Sequence, residues 1–156
     1  MRLDRPDRDG RVTFEIADKT DRLDILVNNA ARGVMTQQLA KKGVDLRMAQ
    51  NHMGHIVLTS HLLPLLRKTA SQGNTVRIVN LASNAHESAS KDTKSESIEE
   101  SKKGYGPMAQ YGRSKLAAIL YSRYLAHHLT STHPNMLANA THPSIVETRR
   151  SSEHIK

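Results

Sequence analysis

The 156-residue chain contains no cysteine, which rules out a disulfide framework and any thiolate metal site. It has no tryptophan, one phenylalanine and four tyrosines, so the core must be built almost wholly from aliphatic side chains. With 37% hydrophobic residues over one domain's length, that core is lean. No long apolar run follows the charged opening MRLDRPDRDGR, so the sequence predicts neither a signal peptide nor a membrane span, and a soluble cytoplasmic protein is the expectation. Lysine and arginine exceed aspartate and glutamate by 23 to 15, a formal charge of +8. The basic residues are scattered rather than gathered on one stripe, which argues against nucleic acid and leaves an anionic cofactor or simple solubility. Nine histidines are present, but HMGH and the adjacent His127 and His128 have no third and fourth ligand at metal-site spacing, so no metal is expected.

What is present alternates between strand and helix signals. RLDILVNNAA holds a short branched apolar run, 23 to 27, closed by two asparagines, which predicts a buried strand meeting a turn. Residues 45 to 68 carry apolar side chains at 46, 49, 53, 56, 57, 62, 63 and 66, a helical face broad enough to cover a sheet. TVRIVNLAS predicts a second strand over 76 to 82, and 87 to 104 is a Ser, Lys and Glu-rich stretch without apolar period, read as a solvated insertion. A loop around GYGPMAQ leads into a helix from about 109 to 129 with Leu116, Ala117, Leu120, Tyr124 and Leu125 as its buried side, and NMLANATHPS predicts a third strand over 136 to 141. Strand, helix, strand, helix, strand implies an α/β fold with parallel strands, and ligands then bind beyond the carboxyl ends of those strands. Asn28 to Ala31, Ser83 and His142 to Thr148 occupy those positions.

The stretch YGRSK places Tyr111 and Lys115 one helical turn apart on one face, where an ammonium would lower the phenol's pKa toward a usable acid or base. Together with NNAA at 28 to 31, QNHMGHIVLT with Asn51, RIVNLAS ending at Ser83, and HPSIVET, this ordered set resembles the short-chain dehydrogenase/reductase family, and NHMGHIVLTSHLLPLL looks most like its retinol-dehydrogenase-like branch. The resemblance implies a partial Rossmann-type, doubly wound parallel sheet and an NADP- or NAD-dependent oxidation of an alcohol or reduction of a carbonyl on a hydrophobic small molecule. It implies catalytic roles for Asn51, Ser83, Tyr111 and Lys115: Tyr111 as general acid or base, Ser83 orienting the substrate oxygen, Lys115 lowering the Tyr pKa and holding the nicotinamide ribose, and Asn51 anchoring a relay water. It also implies cofactor contacts from Asn28, Ala30, Val146 and Thr148 beside Tyr111 and Lys115. The basic balance leans toward NADP.

Two residues depart from the family pattern: Ala31 stands where its NNAG turn has glycine, and Ser144 where glycine follows Pro143. A larger departure is the family's TGxxxGxG turn, which receives the cofactor pyrophosphate at a helix N-terminus. Only 27 residues precede Asn28, with Gly10 their sole glycine, and the chain runs only eight residues past Thr148. The expectation is a single truncated Rossmann-like domain over 1 to 156, with its core at about 22 to 148 and the insertion at 87 to 104. Its catalytic middle is retained without the phosphate-binding half, and the exposed sheet edge offers a route to a homo-oligomer. The rival reading is a non-catalytic interaction protein or gene-model fragment that keeps the motifs.

Overall fold

In the computed structural model, described for residues 15–16, 18–40, 43–93 and 97–144, three strands form one parallel sheet in the order β1 (Ile25–Asn28), β2 (Val76–Leu81), β3 (Met136–Thr141). The register sets Leu26 beside Ile78 and Ala138, and Asn28 beside Asn80 and Ala140. All three strands therefore end together at one rim, the rim at which parallel sheets bind ligands.

Between β1 and β2 the chain forms α1 (Leu46–Met48), a π-helical turn (Ala49–Met53) and α2 (Gly54–Ser71). Asp45 caps this run by accepting hydrogen bonds from the backbone N–H groups of Arg47 and Met48, satisfying donors that a helix start leaves orphaned. A 3-10 turn (Asn84–Ser88) and α3 (Ile98–Lys102) precede α4 (Pro107–Thr130), which returns the chain to β3. The expected loop at GYGPMAQ ends earlier than the composition implied. Gly106, at a φ of 83°, turns the chain, and Pro107 takes the first helical position, where its missing N–H costs nothing.

Both long helices contribute to one core cluster: Leu62, Leu66 and Ala70 from α2 and Leu125 and Leu129 from α4 pack on Leu26, Val76, Ile78 and Met136. The helix faces differ from those read by apolar periodicity. Leu120 and Tyr124 are exposed, and α4 instead buries Gly112, Ser114, Lys115, Ala118 and Ser122. On the α1–α2 run, Met53 is exposed while Arg47, Asn51, His55 and Thr59 are buried. Most of the inward-facing polar groups are paired there, with Asn28 Oδ1 and His55 Nε2 among the exceptions. Asn28 donates to Thr59 and Asn80, and Asn80 donates to Ser122, so a hydrogen-bonded row links β1, β2 and both helices.

The opposite sheet face has no covering layer among the described residues: Ile25, Val27 and Leu137 are 54%, 52% and 41% exposed. Residues 87 to 104 are exposed at most described positions, yet not simply solvated. Glu100 is buried and pairs with Arg113 of α4 at 3.2 Å, and Arg113 also stacks under the Tyr105 ring. The ion pair ties this stretch to the helix that carries Tyr111.

Candidate functional site at the strand carboxyl ends

Ser83 follows β2 by two residues, in extended conformation, and caps the 3-10 turn by accepting the N–H of Ala85 at 3.2 Å. Across from it, in the first turns of α4, Tyr111 is half-buried, with the Ser83 side chain near enough to act on its phenol. Burial pushes the Tyr111 phenol above its ordinary pKa, and the nearby Ser83 side chain offsets only part of that rise. The lowering expected from Lys115 is absent. Its Nζ lies 5.6 Å from the Tyr111 ring centroid but donates to the carbonyl of Leu81 at 2.7 Å, and burial draws the Lys115 pKa down. The cation is anchored to the end of β2 rather than against the phenol oxygen.

Asn51 sits in the π-helical turn, a distortion frequent at functional sites. Its Oδ1 accepts from the Arg32 N–H at 2.7 Å, while Nδ2 donates to the Arg32 carbonyl and to Ser114 Oγ, both at 3.0 Å. Ser114 in turn donates to the Tyr111 carbonyl at 2.8 Å. Asn51 thus joins the segment after β1 to the helix of Tyr111 and Lys115. One turn further on, buried His55 and half-buried His52 are desolvated, and their pKa values fall to about 4. Both imidazoles are neutral at physiological pH.

The Asn28 side chain points into the helix layer, where its amide is bonded to Thr59 and Asn80, so only its backbone and that of exposed Ala30 face the rim. Ala31 avoids positive φ, so alanine is accommodated there without strain. Ser144 has a φ of 68°, the conformation in which glycine is ordinarily used, and a serine held there costs about 1–2 kcal/mol. Val146 and Thr148 lie outside the described residues. The structure therefore brings Asn51, Ser83, Tyr111 and Lys115 together at one rim, with the backbone of Asn28 and Ala30 beside them. It adds Arg47, Gly112 and Ser114, which motif reading did not single out.

The short chain dehydrogenase family model matches residues 5–95, more than half of the chain. The chain belongs to the short-chain dehydrogenase/reductase family. Among curated proteins it is 54% identical over 149 residues to bli-4 of Neurospora crassa, whose name describes a mitochondrial oxidoreductase. That match covers 92% of this chain and 36% of the Neurospora protein. Retinol dehydrogenase 13 of Mus musculus is 34% identical over 134 residues, covering 86% of this chain and 38% of the mouse protein. Among solved structures, the Pseudomonas aeruginosa RhlG/NADP active-site complex superposes with a TM-score of 0.70 at 29% identity, covering 97% of this chain and 54% of that one. The chain thus spans little more than a third of these curated family members and about half of the solved one. No described helix is long and apolar enough to cross a membrane.

Proposed function

We propose that this chain carries the catalytic portion of an NAD(P)-dependent oxidoreductase that interconverts an alcohol and a carbonyl on a hydrophobic small molecule. The observation that carries this reading is the Tyr111 phenol set beside the Ser83 side chain at the strand carboxyl ends, with Lys115 anchored one turn away. A substrate oxygen seated between Ser83 and Tyr111 accepts hydrogen bonds from both, and Tyr111 passes its proton to that oxygen as negative charge develops there. A phenol is protonated at neutral pH and burial raises its pKa further, so Tyr111 is set as an acid, which suits the reducing direction. Oxidation needs the phenolate, and so a closer approach of the Lys115 cation.

The residues fit the nicotinamide end of a dinucleotide. Among the described residues Lys115 serves one acceptor, Leu81, of the three its ammonium can serve, which leaves donors for ribose hydroxyls. Asn28 and Ala30 offer backbone at the same rim, and Val146 and Thr148 follow β3, as the family pattern places them. When bound, the nicotinamide supplies the hydride. The chain's charge of +8 leans toward NADP. Asn51, through Arg32 and Ser114, keeps the Tyr111 helix in place, and on the family pattern it anchors the water that relays protons from Lys115.

The pyrophosphate end is a different matter, because this chain has no TGxxxGxG turn. Charge-assisted backbone hydrogen bonds are worth about 1.5–3 kcal/mol each, and three of them together at least about 4 kcal/mol. Affinity therefore falls about a thousandfold without them, at about 1.4 kcal/mol per tenfold. The expected outcome is no saturation by NADPH or NADH at submillimolar concentration in calorimetry. Fusing the N-terminal half of a family member should restore binding and turnover, and Tyr111→Phe should then abolish turnover while leaving cofactor affinity intact. Micromolar affinity in the chain alone, or full turnover in the Phe variant, would overturn the reading. A fusion that binds cofactor yet turns nothing over would favour the rival, a non-catalytic interaction protein.

A further inference from the structure

We propose that Gly112 is a positioning residue for the Ser83–Tyr111 pair, because the absence of a side chain at 112 admits the 3-10 turn against α4 and so sets where Ser83 stands. The inference rests on reading Ser83 and Tyr111 as the reacting pair. A Cβ built at Gly112 would lie 2.5 Å from the Ala85 carbonyl oxygen, 2.9 Å from the Ala89 nitrogen and 3.1 Å from the Ser88 carbonyl carbon. All three are backbone atoms, so no side-chain rotation relieves the clash, and any residue with a Cβ drives the turn away from the helix.

That displacement reaches Ser83 because Ser83 and the turn are one hydrogen-bonded unit. The Ser83 hydroxyl accepts the Ala85 N–H, and the Ser83 carbonyl accepts the His86 N–H at 3.1 Å and meets His86 Nδ1 at 2.8 Å. Three residues along the same helix, Lys115 grips Leu81, two residues before Ser83. Gly112 and Lys115 thus hold the chain on either side of Ser83, one by letting backbone approach and the other by bonding it. Tyr111, adjacent to Gly112, is presented to the residue these contacts locate. Glycine costs stability in a helix interior, and the close approach it permits explains its presence between Tyr111 and Lys115.

The test is read by NMR on the folded chain, without turnover. The Gly112→Ala variant should lose the nuclear Overhauser contact between the Tyr111 ring protons and the Ser83 β protons. Its Tyr111 Cζ resonance should move to the position found in Ser83→Ala. Ala117→Gly, a helix-weakening change that does not face the turn, should leave both signals as in the parent. Retention of both signals in a folded Gly112→Ala variant would overturn the proposal. If that variant does not fold, it is compared with the parent in trimethylamine N-oxide, which favours the compact state: a folded protein without the contact supports the proposal, and one that keeps it overturns it. Failure of the catalytic reading would appear separately, as a parental contact accompanied by an inert Tyr111→Phe change in the fused enzyme.

Discussion

At the scale of single residues, the site combines groups whose chemistry is written in their identity with groups whose state depends on surroundings. Tyr111, Lys115, Ser83 and Asn51 stood out through the resemblance to the short-chain dehydrogenase/reductase motifs, which implied acid–base roles for them at a carbonyl. Their protonation behaviour was not recognisable. One helical turn between a tyrosine and a lysine implied a lowered phenol pKa, but burial raises it while Leu81 draws the ammonium aside. His55 gives the pH dependence. Enclosed among Asn51, Ala30, His52 and Lys115, it is held neutral, with its pKa lowered from 6.5 to about 4. Between those values the unfolded chain binds the proton and the folded one does not, so stability is full above pH 6.5 and is lost as pH falls toward 4. At about 1.4 kcal/mol per pKa unit this amounts to as much as about 3 kcal/mol for His55, with a comparable share from His52, whose pKa burial lowers to the same value of about 4. Urea midpoints should therefore drop steadily between pH 7 and pH 4.5, and a midpoint constant over that range would contradict the assignment.

Among the elements, the helix starts decide how the site is assembled. Arg47, 1% exposed, pairs with the capping Asp45 through Nε and Nη2 and donates from Nη1 to the carbonyls of Met35 and Pro107. One guanidinium therefore fastens the start of α1, the segment after β1 and the start of α4, two turns from Lys115. Replacing it with Met leaves the Asp45 carboxylate buried and unpaired, at a cost of about 3–5 kcal/mol. Arg47→Met should lower the urea midpoint correspondingly or remove the cooperative transition. Arg47→Met with Asp45→Ser should regain most of the loss, since serine still caps the helix and no charge is stranded. A single variant as stable as the parent would show that the clamp is dispensable. Apolar periodicity hid this arrangement, because it assigns arginine to solvent and leucine to the core. Leu120 and Tyr124 point outward for the converse reason: the inward face of α4 must lie close to the β2 end and the 3-10 turn, and only small or bonded residues fit there.

For the whole molecule, the sheet is covered on one face. Ile25, Val27 and Leu137 lie bare on the other, and the outer edges of β1 and β3 have no partner strand among the described residues. Apolar sheet surface and unpaired backbone groups together favour association. The isolated chain is expected to dimerise or aggregate in sedimentation velocity as concentration rises, and Val27→Lys should shift it toward monomer by placing a charge on the bare face. A stable, cooperatively unfolding monomer at high concentration would contradict this. The same geometry bears on function, since the rim that holds Ser83 and Tyr111 is built on strands whose second face is covered by no helix among the described residues.

Three parallel strands and two crossover helices were present in local pattern, and the ordered family motifs pointed to Asn51, Ser83, Tyr111 and Lys115. The elements depend on short-range periodicity, and the residues on short motifs in a fixed order. Ser144 belongs with them, its positive φ foreshadowed by a serine where the family pattern has glycine. What required the fold were relations across long stretches of chain: Arg47 to Pro107, Gly112 to Ala85, Glu100 to Arg113, Asn28 to Asn80. Desolvation and close approach depend on what arrives from elsewhere in the chain, so the charge state of Tyr111 and Lys115 and the reason for a glycine between them emerged from packing alone.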